Sequence, residues 1–588
     1  MRAMRSNPKQ ATGTFTQCLQ KWLAPLSVTV LAACSPAAES DKPRVIPEPL
    51  QHGLIYCSEG NPESFNPQLG TSGTTVDATA SQIYDRLLDF DDQSKTFVAA
   101  LATDWEALDN GTRYRFNLRE KVAFHQNFMF QPSRTFNADD VVFSFQRWLD
   151  KNHPYHYVNG GQYPFFTSSG LIRLIERVEK VGPYTVDFYL KRPDSSFLAN
   201  LATDFTVILS AEYGEQLRAN NTMGMIDFRP IGTGPYEFVE FRKDILIRYF
   251  RHQEYWRETP ELEHLVYSIT PNANKRMLKL ITGECDVIPY PLVNELQALD
   301  VNSKIEVASE VNPNVAFWAF NTAKPPFDDP LVRQALSHAV NRPAIIDTIY
   351  SGNAQLAHSL LPETSWAYSE EVNRYPYDPK RARKLLADAG FPNGFMMDIW
   401  AMPVQRVYNP NAQRMAELIQ ADLAEIGVRA NIVSYEWNTF RRRLARGEHQ
   451  SVLIGWVADH ADPDNFYRPI LSCAAIGSGN RANYCNPALD QLLIKAISET
   501  EQAKRRPLYD QIQNIVSQQV PVLPIANSLR FQAHQADITG VELPPYGGIS
   551  FRNAKRLSPA ELQQADSEAN SDANSDANSE TNSGEQPQ

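Results

Sequence analysis

The sequence has few glycines and no apolar run long enough to cross a bilayer. Only 27 of its 588 residues are glycine, against 40 prolines, which indicates rigid turns rather than flexible loops. Beyond residue 34 no stretch approaches the roughly 18 apolar residues of a transmembrane helix. Basic residues are also in deficit, 56 against 68 acidic ones, which argues against nucleic-acid binding because that needs a basic surface. The remaining composition is typical of a globular protein.

The usual signatures of enzymes and metal sites are missing as well. There is no Walker phosphate loop, no HExxH, no GxSxG and no GxGxxG, and the 11 histidines lack metal-ligand spacing. The segment DHADPDNF superficially resembles a calcium loop, but Asp464 stands where the EF-hand turn needs glycine. The pair Asp139-Asp140 fits helix capping better than a catalytic dyad. We therefore predict no catalytic residue, no metal ligand and no resident cofactor.

The two ends of the chain do not read as folded domains. Cationic residues precede the short apolar run WLAPLSVTVLAA, which predicts a secretory leader over residues 1–33. Leu31-Ala32-Ala33-Cys34 resembles the lipobox of bacterial lipoproteins, so Cys34 is predicted to carry lipid; an ordinary signal peptide is the alternative. Residues 34–50 suit a tether. Residues 557–588 lack aromatic residues and repeat NSDA, which predicts a disordered acidic tail.

Cysteine spacing suggests disulfides in an exported protein. If Cys18 is removed with the leader and Cys34 is acylated, four cysteines remain and allow three pairings. Cys473 and Cys485 flank the polar segment GSGNRANY and suit a closed loop, which leaves Cys57 and Cys285 as the other pair. Buried free thiols are the alternative.

Strands and helices alternate through the body of the chain, which predicts an α/β fold. Asp329-Pro330 and Asp378-Pro379 each place an N-cap before a proline at the first helical position. The apolar periodicity predicts a helix over 411–426, and strands are predicted over 395–400 and 451–457.

One cation and one anion follow strands in this part of the chain. Arg406 comes just beyond the strand that ends at Trp400, and Asp459 just beyond the strand that ends at Val457. Ligands of open α/β sheets bind outside the carboxyl ends of strands. A guanidinium and a carboxylate there suit the two ends of a zwitterion. The alternative is a structural Arg–Asp salt bridge, with the nearby aromatic residues serving as core. Apolar walls are expected from Trp437, Trp456, Tyr408 and Tyr163.

Several long motifs resemble the solute-binding proteins of peptide ABC importers over about residues 51–556. They include RPIGTGPYEF (229–238), NTAKPPFDDPLVRQALSHAVN (321–341) and GWVADHADPDNF (455–466). The segments FYRPILSCAAI (466–476) and PVLPIANSLRFQAH (521–534) are closer to a branch of the family linked to antimicrobial-peptide resistance.

This resemblance implies a two-lobed flytrap with an inserted subdomain, closing over its ligand about a hinge. Lobe I would comprise 51–310, with the insertion at about 85–230, and 531–556; lobe II would comprise 311–530. The expected protein is a monomeric, membrane-anchored lipoprotein of the periplasm that delivers dipeptides or short peptides to an inner-membrane ABC permease. Alternatives on the same scaffold bind haem, glutathione or antimicrobial peptides; a periplasmic hydrolase is more remote.

The resemblance also assigns roles to residues. Asp459 would pair with the peptide α-ammonium and Arg406 with the α-carboxylate, while Thr71, Tyr163, Tyr408, Trp437 and Trp456 would line the pocket. It implies the same two disulfides. Because each added residue lengthens a peptide by about 3.3–3.6 Å, a clamp on both termini should bind tripeptides poorly.

Overall fold

The computed structural model describes residues 52–91, 93–94, 96–311, 313–558, 560–562 and 564. The predicted leader, the predicted lipidation site Cys34, the predicted tether and almost all of the predicted acidic tail lie outside these residues. Within the described ranges no helix is long and apolar enough to cross a membrane.

Two large mixed sheets and a smaller one organise the chain. The first has seven strands in the order β12-β19-β11-β1-β10-β9-β8. Its strands are β1 (Gly53–Ser58), β8 (Tyr236–Arg242), β9 (Leu246–Arg251), β10 (His264–Ile269), β11 (Val287–Pro289), β12 (Ile305–Glu310) and β19 (Arg530–Gln535).

The second large sheet has six strands in the order β14-β18-β13-β17-β15-β16. These strands are β13 (Asn314–Phe320), β14 (Ala354–Leu356), β15 (Met396–Ala401), β16 (Arg429–Val433), β17 (Ser451–Val457) and β18 (Val522–Ser528). Every residue of β13 is buried, as expected for a central strand covered on both faces.

The remaining strands form an antiparallel four-stranded sheet, in the order β4-β5-β7-β6, and two small ribbons. The four strands are β4 (Ala102–Leu108), β5 (Arg113–Leu118), β6 (Ile175–Gly182) and β7 (Thr185–Leu190). The ribbons pair β2 (Leu88–Asp91) with β3 (Thr96–Ala99) and β20 (Ile538–Thr539) with β21 (Lys555–Arg556).

Helices cover these sheets and separate many of the strands. Those before residue 312 are α1 (Gly73–Thr79), α2 (Ala138–Leu149), α3 (Pro164–Ser168), α4 (Leu171–Leu174), α5 (Phe197–Leu201), α6 (Ala211–Ala219), α7 (Ala273–Ile281) and α8 (Leu296–Asp300). Those after it are α9 (Pro330–Ala339), α10 (Arg342–Tyr350), α11 (Pro379–Asp388), α12 (Ala412–Glu425), α13 (Trp437–Ala445), α14 (Asp464–Leu471), α15 (Pro487–Ser498) and α16 (Gln502–Gln519).

The predicted helix starts rest on local hydrogen bonds. Asp329 accepts a hydrogen bond from the amide of Leu331, and Asp378 accepts one from the amide of Arg381. Asn137 and Asp140 form a reciprocal capping box at the start of α2. Asp140 therefore caps the helix, as predicted for the pair Asp139-Asp140. The predicted α/β fold is confirmed.

The chain passes between the two large sheets twice, once between β12 and β13 and once between β18 and β19. Asn314 joins these crossings, because its Nδ2 donates to the carbonyl of Ser528 (2.6 Å) and its Oδ1 accepts from the amide of Ser528 (3.2 Å). Two adjacent crossings held by one buried side chain suit a hinge. The residue limits of the lobes and of the inserted subdomain stay a prediction.

Candidate functional site

The loops that carry Arg406 and Asp459 leave the same edge of the six-stranded sheet. β15 and β17 are parallel neighbours, with Ile399 opposite Ser451 and Ala401 opposite Leu453. Their carboxyl ends therefore lie side by side, as ligand sites of α/β sheets require. Gly455 of β17 leaves room for the ring of Tyr408, since a Cβ there would come within 2.4 Å of it.

Asn465 is the residue that holds the Asp459 loop in place. Its Oδ1 accepts hydrogen bonds from the Asp459 amide (2.9 Å) and from Trp456 Nε1 (3.0 Å). Its Nδ2 donates to Asp459 Oδ2 (3.2 Å). Sequence reasoning missed this role, although Asn465 lies within the quoted motif DHADPDNF.

The three aspartates of this motif are compensated differently. Asp462 receives both guanidinium arms of Arg505, at 2.7 and 2.8 Å, and Asp464 pairs with Arg468 at 2.7 Å. Among the described residues, no salt bridge reaches Asp459; Asn465 is its hydrogen-bond donor. Burial raises the pKa of Asp459 to about 7, the Asn465 hydrogen bond opposes the rise, and Asp204 adds to it.

Asp459 faces a cavity of about 890 Å³. Apolar wall is contributed by Phe90, Tyr546 and Trp366. Asp204 also faces this space, but it is already bound by Arg86 and by the amide of Gly548 (2.7 Å). Asp459 is thus a carboxylate held by an amide rather than by a cation, at the wall of a space large enough for a ligand.

Arg406 has a different environment. Its Nη1 donates to the carbonyl of Gln405 (3.0 Å) and lies 3.7 Å from Glu59 Oε1. Its Cζ lies 5.0 Å from the centre of the Trp437 ring, within cation–π range. In the described structure the ion pair between Arg406 and Asp459 is not formed, so the salt-bridge part of the structural alternative is wrong. Tyr163 and Tyr408 are buried in hydrophobic clusters, as the core-aromatic part of that alternative expects.

The structure spreads the other predicted pocket residues over several surroundings, and none of them lines the 890 Å³ cavity. Tyr408 is buried, with its hydroxyl 3.6 Å from Met402 Sδ. Trp437 stacks on Phe440, and Thr71 is exposed. Tyr163 lies within the core around the four-stranded sheet, where its hydroxyl donates to the carbonyl of His156 (2.8 Å). Their contacts with a ligand stay predictions.

Both predicted disulfides are present. Cys57 is bonded to Cys285 and Cys473 to Cys485. The expectation of free buried thiols is therefore wrong for these four residues. Among the described residues, no group of three histidine, cysteine, aspartate or glutamate side chains is arranged to hold a metal ion.

The sequence profile described as "Bacterial extracellular solute-binding proteins, family 5 Middle" matches residues 96–478. This chain belongs to that family. Membership agrees with the observed mixed α/β sheets. It places the protein among extracytoplasmic binding proteins of transporters.

Family 5 members with known roles are similar over nearly their whole length. The dipeptide-binding protein of Escherichia coli is 45% identical over 501 residues, which cover 85% of this chain and 94% of that protein. Heme-binding protein A of Haemophilus influenzae is 43% identical over 525 residues, covering 89% and 96%.

A solved structure of the family shows the same fold. The crystal structure of a dipeptide-binding protein from a Pseudoalteromonas species, in complex with Met-Leu, superimposes with a TM-score of 0.83 at 48% identity. The match covers 86% of this chain and all of that chain.

Proposed function

We propose that this protein is the extracytoplasmic receptor of an ABC importer, that it binds dipeptides or short peptides and that it passes them to a membrane permease without catalysing a reaction. The observation that carries the proposal is Asp459: a carboxylate without a cationic partner in the described structure, facing a cavity of about 890 Å³. Arg406 follows β15 and Asp459 follows β17, and these two strands are adjacent and parallel.

Each charged terminus of a peptide would meet a complementary group. The α-ammonium supplies the cation that Asp459 lacks, and the resulting charge-assisted hydrogen bonds are among the stronger ones in proteins. The α-carboxylate suits the guanidinium fork of Arg406, whose 3.7 Å separation from Glu59 is too long for a hydrogen bond. Closure about the two crossings, between β12 and β13 and between β18 and β19, would then bury both ends.

The relatives support the same ligand class. The similar protein of Escherichia coli is a dipeptide-binding protein, and the superimposed Pseudoalteromonas structure holds Met-Leu. By the same resemblance, Trp437, Trp456, Tyr408, Thr71 and Tyr163 are proposed as walls around the peptide. Asn465 is proposed as a positioning residue that acts through Asp459.

Blocked peptides test the two ends separately. Calorimetry should give clear binding of Ala-Ala, weaker binding of N-acetyl-Ala-Ala and weaker binding of Ala-Ala-amide. With Asp459→Asn the penalty for acetylation should shrink, and with Arg406→Met the penalty for amidation should shrink. Penalties that persist unchanged in the matching variants would overturn the two-ended clamp. Ala-Ala-Ala, measured alongside, tests the predicted exclusion of tripeptides.

A larger ligand is the second candidate. Pockets of about 300–1,000 Å³ hold ligands of drug size, so a cavity of about 890 Å³ admits more than a dipeptide. Heme-binding protein A of Haemophilus influenzae is 43% identical. His460 lines the cavity, and both of its ring nitrogens have polar neighbours. Its Nδ1 accepts a hydrogen bond from the Asp462 amide (3.2 Å), and its Nε2 lies 3.3 Å from Asn465 Nδ2. A haem titration with a Soret band, or native mass spectrometry of the copurified ligand showing haem, glutathione or a longer peptide, would favour this candidate.

Membrane anchoring is proposed on the lipobox alone. Acylation of Cys34 predicts that labelled palmitate enters the wild type and not the Cys34→Ser variant. The proposed monomer is checked by light scattering of the soluble form that lacks residues 1–34.

A further inference from the structure

The cavity of about 890 Å³ adjoins only one of the two charged positions of the proposed site. Among the described residues, Asp459 lines it, whereas Arg406, Tyr408 and Trp437 do not. The latter residues pack on one another and on their neighbours. Arg406 Cζ lies 5.0 Å from the centre of the Trp437 ring, and that ring stacks on Phe440 with 5.8 Å between the centres. This space for a ligand side chain therefore lies beside the proposed ammonium position.

A dipeptide held at both termini can send one of its two side chains into this cavity. The α-ammonium and the first side chain share one Cα, so the first side chain starts at the wall that carries Asp459. The second Cα lies about 3.8 Å further along the peptide, toward Arg406. In an extended peptide the second side chain also points to the opposite face. The cavity is therefore placed to contact the first residue rather than the second.

Four aromatic rings form part of the cavity wall. Phe90 and Phe97 are cross-strand partners in the ribbon of β2 and β3, with ring centres 5.7 Å apart. Tyr546 meets Phe90 edge-on, with 5.9 Å between the ring centres and 84° between the ring planes. Trp366 lines the same cavity, and all four side chains are partly exposed. An incoming ring can therefore pack against them edge-to-face or offset-stacked.

The loop that carries Tyr546 is held by hydrogen bonds on both sides of that residue. Arg530 Nη1 donates to the carbonyl of Pro544 (3.1 Å) and to the carbonyl of Gly547 (2.9 Å). A ring on a fixed loop needs little ordering when a ligand binds, so less of the contact energy is lost as entropy.

Carboxylates of the same wall already have donors within the protein. Asp85 accepts hydrogen bonds from the Thr233 hydroxyl (2.8 Å) and from Trp256 Nε1 (2.9 Å). Asp462 is paired with Arg505 at 2.7 Å. These groups are satisfied without a ligand, whereas the partly exposed rings gain contacts when an apolar side chain covers them. The wall therefore favours an aromatic side chain over a charged one.

We infer that this cavity is the pocket for the side chain of the first peptide residue, and that it selects dipeptides whose first residue is large and aromatic. The inference rests on the proposed function, because it needs the α-ammonium at Asp459. Trp-Ala would place its indole among Phe90, Tyr546 and Trp366. Ala-Trp would turn the same indole away from these rings.

Two dipeptides of identical composition test this selection. Calorimetry of the wild type should show Trp-Ala binding about tenfold more tightly than Ala-Trp, the factor that favourable aromatic packing supplies. In Phe90→Leu the ratio of the two affinities should fall to about threefold, because one ring of the wall is lost. Phe128→Leu is the matched control and should keep the wild-type ratio, since the Phe128 ring is 89% exposed and lies outside the cavity lining.

Equal binding of the two isomers by the wild type, or tighter binding of Ala-Trp, overturns the inference without any variant. The proposed function then stands as long as Ala-Ala binds. Tighter binding of Lys-Ala than of Trp-Ala would assign the cavity to cations and also overturn the inference. An unchanged ratio in Phe90→Leu, or in Tyr546→Leu if thermal unfolding shows that Phe90→Leu is not folded, would do the same. If Trp-Ala, Ala-Trp and Ala-Ala all fail to bind the wild type, the inference and the proposed function fail together.

Discussion

Asp459 and Arg406 follow neighbouring strands of one sheet, yet their surroundings differ. Asp459 is held by one asparagine and faces a cavity of about 890 Å³. Arg406 lies over Trp437 and 3.7 Å from Glu59, and Arg441 lies near the same Trp437 ring. The proposed ammonium end therefore relies on Asp459, whereas a second cation lies near the proposed carboxylate end. The two ends should respond unequally to the loss of one residue.

The largest expected effect comes from Asp459→Asn. Removing the charge of Asp459, which no cation compensates among the described residues, should weaken Ala-Ala binding by about 2–5 kcal/mol, as for other buried charge pairs. Arg406→Met should cost less, because Arg441, which lies near the same Trp437 ring, still attracts the carboxylate. Calorimetry of both variants measures the difference, and Asp139→Asn is the control, since Asp139 forms an exposed pair with Lys180. A greater loss of affinity in Arg406→Met than in Asp459→Asn would contradict the expected order of the two effects.

Replacing Asn465 by leucine should give the next largest effect. The Asp459 carboxylate loses a donor, and the Asp459 amide and the Trp456 indole lose an acceptor. We expect dipeptide affinity to fall by about 1–3 kcal/mol, the cost of leaving such groups unsatisfied. Thermal unfolding of the free variant separates lost binding from lost folding. Unchanged affinity would show that Asp459 needs no positioning.

The pH dependence of binding should follow Asp459. Its pKa of about 7 in the free protein means that the carboxylate must lose a proton before it binds an ammonium. Affinity should be highest between about pH 7 and 8, where Asp459 is ionised and the peptide ammonium is still charged, and should fall by up to about tenfold per pH unit below pH 7. Calorimetry from pH 5 to 8 checks this, and Asp459→Asn should flatten the profile. A slope that survives in that variant would assign the titration to another group.

The free energy of unfolding should also depend on the ionisation of Asp459. It should fall over the pH range in which dipeptide affinity rises. Because folding raises the pKa of Asp459 from 3.8 to about 7, the unfolded chain ionises first as pH rises, and the free protein loses stability between these values. A bound ammonium offsets this loss. The gain in melting temperature from a dipeptide should therefore be larger at pH 8 than at pH 5. An equal gain at both pH values would contradict the assignment.

The smallest effect is expected from Glu63→Gln. The Glu63–Arg441 pair is largely exposed, and exposed ion pairs contribute about 0–1 kcal/mol. Ala-Ala affinity should therefore change by less than about 1 kcal/mol at moderate salt, measured by calorimetry beside Glu448→Gln, a carboxylate paired with Arg443 and Arg446. A larger loss would show that this pair is needed for closure.

Much of the fold could be predicted from local signals in the sequence. Asp329 and Asp378 mark helix starts because the capping acceptor and its donor lie within three residues of each other. The Cys473–Cys485 loop is visible from a spacing of 12 residues. Arg406 and Asp459 are conspicuous because they follow predicted strands, and adjacent parallel strands then bring their loops together.

The sequence alone thus determined the elements, the disulfides, the family and the pair of charges at the strand ends. Only the tertiary structure decided which aspartate of DHADPDNF remains without a cation, because Arg505, the partner of Asp462, lies 43 residues away along the chain. It likewise decided that Glu59 faces Arg406. Caps and closed loops depend on near neighbours in sequence. Charge compensation depends on distances that only the folded chain sets.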